Sequence, residues 1–256
     1  MNYRSAQYLN GALASLFSFE QEGDFFEVIV VNNDPLESEA LRLLKQAFPF
    51  FLIESGGNVG FGRGNNLGAK KARGKILAFI NPDVLWTGMH LRSIAAVFAE
   101  QQMIGILGMA LLNADKEPEA WSAGREPSLL NLLRNNVLPE KQALWQRPEL
   151  FFPDWVSGGG LCIRQALFSA IGGFDERYFL YFEDVDLCAA ARQRGFSVAR
   201  HTAFPLLHLG GKSQHSTRSQ KKHFYASQRQ YFAKHRPRWE WMILSWLQAL
   251  FHKRYV

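Results

Sequence analysis

The sequence predicts an α/β protein: a doubly wound, mainly parallel sheet with helices on both faces, followed by a C-terminal helical tail. Three observations predict it. Short apolar runs alternate with stretches of helical period along most of the chain. Clusters of Asn, Asp, Gly and Pro follow several of the runs, as at turns beyond strand ends. From residue 213 the composition shifts to Lys, Arg and Trp, which divides the chain into 1–212 and 213–256.

The elements follow in order. Ser5 to Glu20 spaces Leu9, Leu13, Leu16 and Phe17 as a helix does, and Phe25 to Val31, "FFEVIVV", reads as a buried strand. Glu37 to Phe48 returns to helical period and "FPFFLIE" to strand. Arg63 to Arg73 suits a helix, "KILAFI" a strand, and Thr87 is expected to cap a helix running to about Gln102. "IGILGMALL" is a further strand. A last helix of this part is predicted to start near Glu183 and to stop at Gly195.

At 256 residues, 47% hydrophobic and 20% charged, the chain can bury a sizeable core. Two cysteines, Cys162 and Cys188, form no disulfide framework and fit buried thiols in a reducing compartment. No apolar signal segment opens the sequence, so the expected location is the cytoplasm. Residues 211–256 carry ten Lys or Arg and one acid, Glu240, a net of +9, which leaves the remainder at −3. The tail is therefore the part that meets anions. Its interleaved aromatics and cations, "KKHFYASQRQYFAKHRPRW", also occur in single-strand nucleic-acid binders. No nucleic-acid partner is expected, because the charge is confined to the tail and the body ends in acidic, small-ligand loops.

In open parallel sheets ligands bind beyond the carboxyl ends of the strands. "VIVVNNDP" ends one strand on Asn32 to Pro35, which read alone is equally a turn. "GGNVGFGRGNNLG" is neither the dinucleotide fingerprint nor a P-loop, but its glycines would let backbone approach a ligand. "INPDV" presents Asp83, which suits either a turn or a hard divalent cation held with phosphates. In "FLYFEDVDLCAAARQRG", Glu183, Asp184 and Asp186 either cap a helix or furnish a general base, and the aromatic run before them can wall a pocket. His208 follows in "HLGGKS".

These signals, with "NYRSAQYL" and "VSGGGLCIRQALFSAIGGFDERYFLYFEDVDLC", occur in one order between Asn2 and Ser213. In that order the chain resembles the inverting family 2 glycosyltransferases of the GT-A fold, nearest a bacterial rhamnosyltransferase-like branch. The resemblance implies a nucleotide-diphospho-sugar donor, deoxythymidine-diphospho-rhamnose or a UDP-sugar. It implies a saccharide or lipid-linked saccharide acceptor, in surface polysaccharide synthesis. It assigns Asp184 as base with Glu183 as its neighbour. Asp83 and His208 would hold Mn2+ or Mg2+. Asn2, Tyr3, Asn32, Asn58, Gly60, Asn65 and Asp83 would contact the nucleotide-sugar, and Trp155, Gly158 and Gly159 the acceptor.

Departures from the family pattern set further expectations. Asn32 replaces an Asp, Ala190 replaces an Arg for which Arg194 is a candidate substitute, and no strand precedes Asn2. An inactive relative and a nucleotidyltransferase are the alternatives. The absent strand would leave a slot inside the sheet, to be filled by another segment, closed up, or filled from upstream of Met1. The last is the expectation, with this 256-residue form prone to aggregate. In the tail, Trp239, Met242, Ile243, Trp246 and Leu250 share one helical stripe, with Lys253 and Arg254 at its end. That pattern predicts an interfacial helix on an anionic membrane surface, peripheral on the inner face of the cell membrane.

Overall fold

The computed structural model describes all residues except 21–25, 120, 138–148, 211–217 and 252–256. Phe25, Gly211, Ser213, Lys253 and Arg254 therefore lie outside the described residues. The elements run α1 (Ala6–Phe19), β1 (Ile29–Asn32), α2 (Ser38–Ala47), β2 (Phe51–Glu54), α3 (Phe61–Ala69), β3 (Ile76–Ile80), β4 (Val84–Trp86) and α4 (Leu91–Glu100). They continue β5 (Ile104–Leu112), β6 (Ala123–Gly124), α5 (Leu129–Val137), β7 (Leu150–Phe151), β8 (Trp155–Val156), β9 (Gly160–Arg164) and α6 (Gln165–Ile171). The last are α7 (Glu183–Gln193), β10 (Ser197–His208), α8 (Arg218–His235) and α9 (Arg238–Phe251).

The α/β class is as predicted, and the main sheet is mixed. Its order is β3-β9-β5-β10-β4, with β7 beside β10; β5 and β10 are parallel, while β9 and β4 run against their neighbours. Strand β5 is buried along eight of its nine residues, as the unbroken run "IGILGMALL" requires of a strand covered on both faces. Cys162 and Cys188 are free and buried.

Two details correct the sequence reading. The first concerns Thr87. The residues after Asp83 form β4, and the helix starts only at Leu91. Thr87 instead donates its hydroxyl to the Pro205 carbonyl of β10. The free N–H groups of that helix are met from another element, since the Glu20 carboxylate accepts from His90 N at 2.6 Å and Leu91 N at 2.8 Å. The second concerns Arg194, whose guanidinium donates to Ala170 O at 2.8 Å and so belongs to the end of α6 rather than to a strand-end mouth.

Strands β1 and β2 form a separate parallel pair. Between β1 and the β3 edge of the main sheet lies a cavity of about 930 Å³, lined by Val28, Val30, Leu13, Leu77, Phe79 and Phe98 among others. Among the described residues no segment fills this slot, and the sheet does not close over it. Met1 lines the cavity, and Asn2 beside it bridges Asn32 in parallel, its N–H donating to Val31 O at 2.8 Å and its carbonyl accepting from Asn33 N at 2.7 Å.

The basic tail shares a core with α7. Tyr231 and Phe232 of α8 and Leu244 of α9 pack with Tyr178, Phe182, Val185 and Ala189.

Candidate functional site

The glycine loop is built by close approach. Gly60 has φ +91°, and a Cβ there would lie 2.6 Å from the Phe179 carbonyl, so only glycine fits. The same carbonyl accepts from Phe61 N at 2.9 Å, which joins the start of α3 to the aromatic run before α7. Asn66 makes a second clasp: it donates to Phe174 O at 2.9 Å and accepts from Phe174 N at 2.9 Å. These bonds bring "GFGRGNN" and "GGFDE", more than a hundred residues apart in the chain, into one surface.

The first turn of α7 carries the three acids. The chain enters it through Tyr181 (φ 69°) and Phe182 (φ 67°), two consecutive left-handed residues that are not glycine. Each such residue costs on the order of 1–3 kcal/mol unless its surroundings hold it. The holding groups are in the tail: Phe182 packs on Phe224 and Tyr231, and Tyr181 on Phe224. The aromatic run therefore anchors α7 to α8, with Phe182 buried there.

The three acids differ in surroundings. Asp184 is partly exposed and accepts from Gly158 N and from Val185 N, both at 2.8 Å. Burial raises its carboxyl above the ordinary carboxylate range, and those backbone hydrogen bonds oppose the rise. Glu183 is buried, and its Oε2 has no hydrogen-bond partner among the described residues. Burial and the neighbouring Asp184 charge push its carboxyl well up, which favours the neutral form. Asp186 faces the tail, with Lys234 Nζ at 2.8 Å and His235 Nε2 at 2.6 Å. One cluster thus holds a poised carboxylate, a buried acid and a structural anchor.

Gly158 and Gly159 carry the link across to the second group. The Gly159 carbonyl accepts from Asn81 N at 3.1 Å, at the end of β3. Two residues on is Asp83, and the antiparallel pairing of β4 with β10 sets Val84 opposite His208. Asp83 Oδ1 lies 3.3 Å from His208 Nε2, so the two predicted metal residues meet. On the other side of the ring, Glu119 Oε1 lies 2.9 Å from His208 Nδ1. A carboxylate can only accept, so the protonated ring donates Nδ1–H to Glu119 and Nε2–H to Asp83, and a cation held by Nε2 would take the place of that second proton. Burial pulls the imidazole down, but the hydrogen bonds to Asp83 and Glu119 outweigh it and push it up to about 10. Among the described residues no three His, Cys, Asp or Glu side chains converge as a metal cage. A carboxylate and an imidazole nitrogen side by side fit a cation that takes its remaining ligands from phosphate oxygens and water.

The predicted nucleotide residues divide into two kinds. Asn32 is buried and internally engaged: its amide donates to Glu54 at 2.7 Å and to Ser38 at 3.1 Å, and its oxygen accepts from Asp34 N at 3.1 Å. Asn2 is buried and donates to Glu37 at 2.8 Å. The Asn58 oxygen accepts from Gly60 N at 3.1 Å and shapes the glycine loop, while Asn65 donates to its own helix at Phe61 O, 3.1 Å away. Tyr3, by contrast, is exposed, with the Arg4 guanidinium 5.2 Å from its ring centre. Trp155 spends its indole N–H on Arg125 O at 2.9 Å. Sequence reasoning missed two residues. Glu54 is an exposed carboxylate at the end of β2, paired in register with Asn32, and Glu119 backs His208.

Comparison with known proteins places this geometry. Residues 1–155 match Glycosyl transferase family 2. The chain is 24% identical to the rhamnosyltransferase WbbL of Escherichia coli K12, over 80% of this chain and 79% of the relative. It is 30% identical over 120 residues to the N-acetylglucosaminyl-diphospho-decaprenol L-rhamnosyltransferase of Mycobacterium tuberculosis, spanning only 38% of that relative. Among solved structures, the mannosyltransferase PcManGT of Pyrobaculum calidifontis, in complex with GDP-Man and Mn2+, superposes with a TM-score of 0.63 at 16% identity. That likeness covers 91% of this chain and 61% of the mannosyltransferase, and it establishes the GT-A fold. With more than half of its length matched and with that fold, the chain belongs to glycosyl transferase family 2 and is a glycosyltransferase.

Proposed function

We propose that the chain transfers a sugar from a nucleotide-diphospho-sugar to a saccharide acceptor with inversion, and that Asp184 is the base. One observation carries the reading. At the glycine-lined mouth Asp184 is a partly exposed carboxylate, pinned by two backbone amides and raised toward the pKa a base needs at neutral pH. The acceptor oxygen bonds to the anomeric carbon as the bond from that carbon to the diphosphate breaks. The acceptor proton passes to Asp184, and the nucleoside diphosphate leaves. Glu183 is the buried neighbour of the base, its carboxyl pushed up by burial and by the Asp184 charge. Asp83 and His208 would hold Mn2+ or Mg2+, which when bound neutralises charge on the departing diphosphate.

On the donor side, Asn32 is fully engaged, and Glu54 beside it is the carboxylate positioned to accept the N–H of a pyrimidine base. The names of the relatives favour a rhamnosyl donor such as deoxythymidine-diphospho-rhamnose, and a lipid-linked saccharide as acceptor. A donor screen by thermal shift tests the first choice: stabilisation by deoxythymidine- or uridine-diphospho-sugars supports it, and stabilisation by purine-diphospho-sugars alone refutes it. Transfer assays of Asp184→Asn test the assignment of the base.

A further inference from the structure

Helix α9 is amphipathic the wrong way round. The residues it buries against the protein are Glu240, Leu244 and Gln248, with Trp241 partly buried against the same core. Glu240 is matched there, and Gln248 through its amide nitrogen, its Oε1 having no hydrogen-bond partner among the described residues. Glu240 takes Arg236 Nη2 at 2.6 Å and Leu129 N at 3.0 Å, and Gln248 donates to Gln228 at 2.7 Å. The stripe it turns outward is Trp239, Met242, Ile243, Trp246, Leu250 and Phe251, exposed by 43% to 70%. A helix with water on its outer side would reverse this arrangement. Helix α5, whose Leu129 touches the first turn of α9, adds exposed Leu130 and Leu133.

The charges around this face have one sign. Between Arg218 and Phe251 the only acid is Glu240, and it is buried against Arg236. Exposed Lys221, Lys222 and Arg238 flank the apolar stripe in the sequence of α8 and α9. Association with a second copy would bring together two tails of +9 by sequence, a charge that the rest of the chain offsets only in part, through Asp175 and Asp186 at Lys234 and Glu126 at Arg236. A surface of anionic headgroups over hydrocarbon matches both the apolar stripe and the cations. Tryptophan and basic residues are also the side chains that settle at such a boundary. The helix has 14 residues, about 21 Å at 1.5 Å per residue, against a hydrocarbon core of about 30 Å, so it lies in the surface and does not cross it. Among the described residues no helix is long and apolar enough to span.

We infer that the outward face of α9, extended by α5, is a docking surface for anionic lipid, rigidly joined to the catalytic helix. The joint is visible: Ser227 donates to Leu180 O at 2.8 Å, and Tyr231 packs on Phe182 one residue before α7. Docking therefore fixes the position of the Asp184 mouth relative to the membrane surface. This goes beyond the transfer reaction proposed above, and vesicle binding without donor or acceptor tests it separately.

The experiment is flotation of the full chain with vesicles of phosphatidylcholine alone and of phosphatidylcholine with phosphatidylglycerol. Binding to the anionic vesicles only, weakened by salt, is expected. Ile243→Glu and Trp246→Glu should each lower it by at least about tenfold. Their side chains are exposed, so circular dichroism and melting should match the parent, while Trp246→Phe should keep binding. Lys221→Glu with Lys222→Glu should weaken binding and flatten its salt dependence. Three results overturn the inference: no flotation, equal flotation with both vesicle types, or a stable dimer by light scattering that Trp246→Glu disperses.

Discussion

The two sides of the strand-end mouth rest on different foundations. Gly158, Asp83 and His208 lie at strand ends of the main sheet, whose central strand is covered on both faces, and Asp184 lies on α7, which packs against that sheet. Asn32, Glu54 and the glycine loop project from a two-stranded pair that stands beside a cavity of about 930 Å³. The first side is held by packing. The second has a smaller core of its own, with Leu13, Val30, Leu41 and Phe50, and adds polar stitching by Asn2, Asn33, Asn58 and Glu37 along the cavity side. The difference separates chemistry, which depends on the first side, from donor recognition, which depends on the second. Substitutions on each side should therefore move different quantities.

The largest effect is expected on the packed side. Asp184→Asn keeps the side-chain shape and one of the two backbone hydrogen bonds, since its single oxygen can accept from Gly158 N or Val185 N but not from both, and it removes the proton acceptor, so transfer should fall by about a hundred- to ten-thousand-fold while nucleotide affinity stays within a few-fold. The pH profile sharpens this. A base works deprotonated, so activity is present above its pKa and lost as pH falls through it. Because burial raises Asp184, the acidic limb should lie above the ordinary Asp value of about 3.9. Normal transfer by Asp184→Asn would move the base to another group.

Next comes Glu119, which only the fold reveals as a partner of His208. A carboxylate on the far nitrogen of a metal-binding His fixes its tautomer, and losing one typically costs about 10–100-fold in affinity. Glu119→Gln should weaken Mn2+ binding in the presence of nucleoside diphosphate by that factor, read by calorimetry, with nucleotide binding without metal unchanged. Unaltered Mn2+ affinity would leave Glu119 a structural residue of its loop.

On the stitched side the effects are smaller. Glu54→Gln removes a charged acceptor beside Asn32 and should weaken donor binding by about tenfold, since charge-assisted hydrogen bonds are roughly twice as strong as neutral ones. The rate at saturating donor should hardly change. A fall in that rate with affinity intact would reverse the division between the two sides.

Much of this was legible in the chain. The apolar runs marked β1, β2, β3 and β5, and the acids after "FLYF" marked the start of α7 at Glu183. Strands β9 and β10 were not read as strands, because β9 follows three glycines and β10 carries Arg200, His201 and Pro205 within it. The resemblance put Asp83 and His208 in one place, and the register of β4 on β10 brings the two side chains together. Glu119 sits in "NADKEPEA", a stretch that reads as a solvated turn, and no local signal ties it to a histidine 89 residues on. Periodicity found the outward stripe of α9, but only the structure shows that the helix buries Glu240 and Gln248.

The smallest prediction tests the foundations themselves. Ala12 on α1 lines the cavity between β1 and β3. Ala12→Leu costs little helix propensity and gives the new methylenes apolar space, so it should stabilise the protein by about 1–2 kcal/mol, a rise in Tm of a few degrees. The same kind of change in the closed sheet should do the reverse. A Cβ on Gly108 in β5 would lie 2.6 Å from the Val156 side chain, which is fully buried. Gly108→Ala should therefore lower stability by about 1–3 kcal/mol through overpacking. Opposite signs in the two melting curves would show that one side of the mouth is packed to capacity and the other is not. If both substitutions destabilise, the slot beside β1 is already filled, and the contrast between the two sides fails.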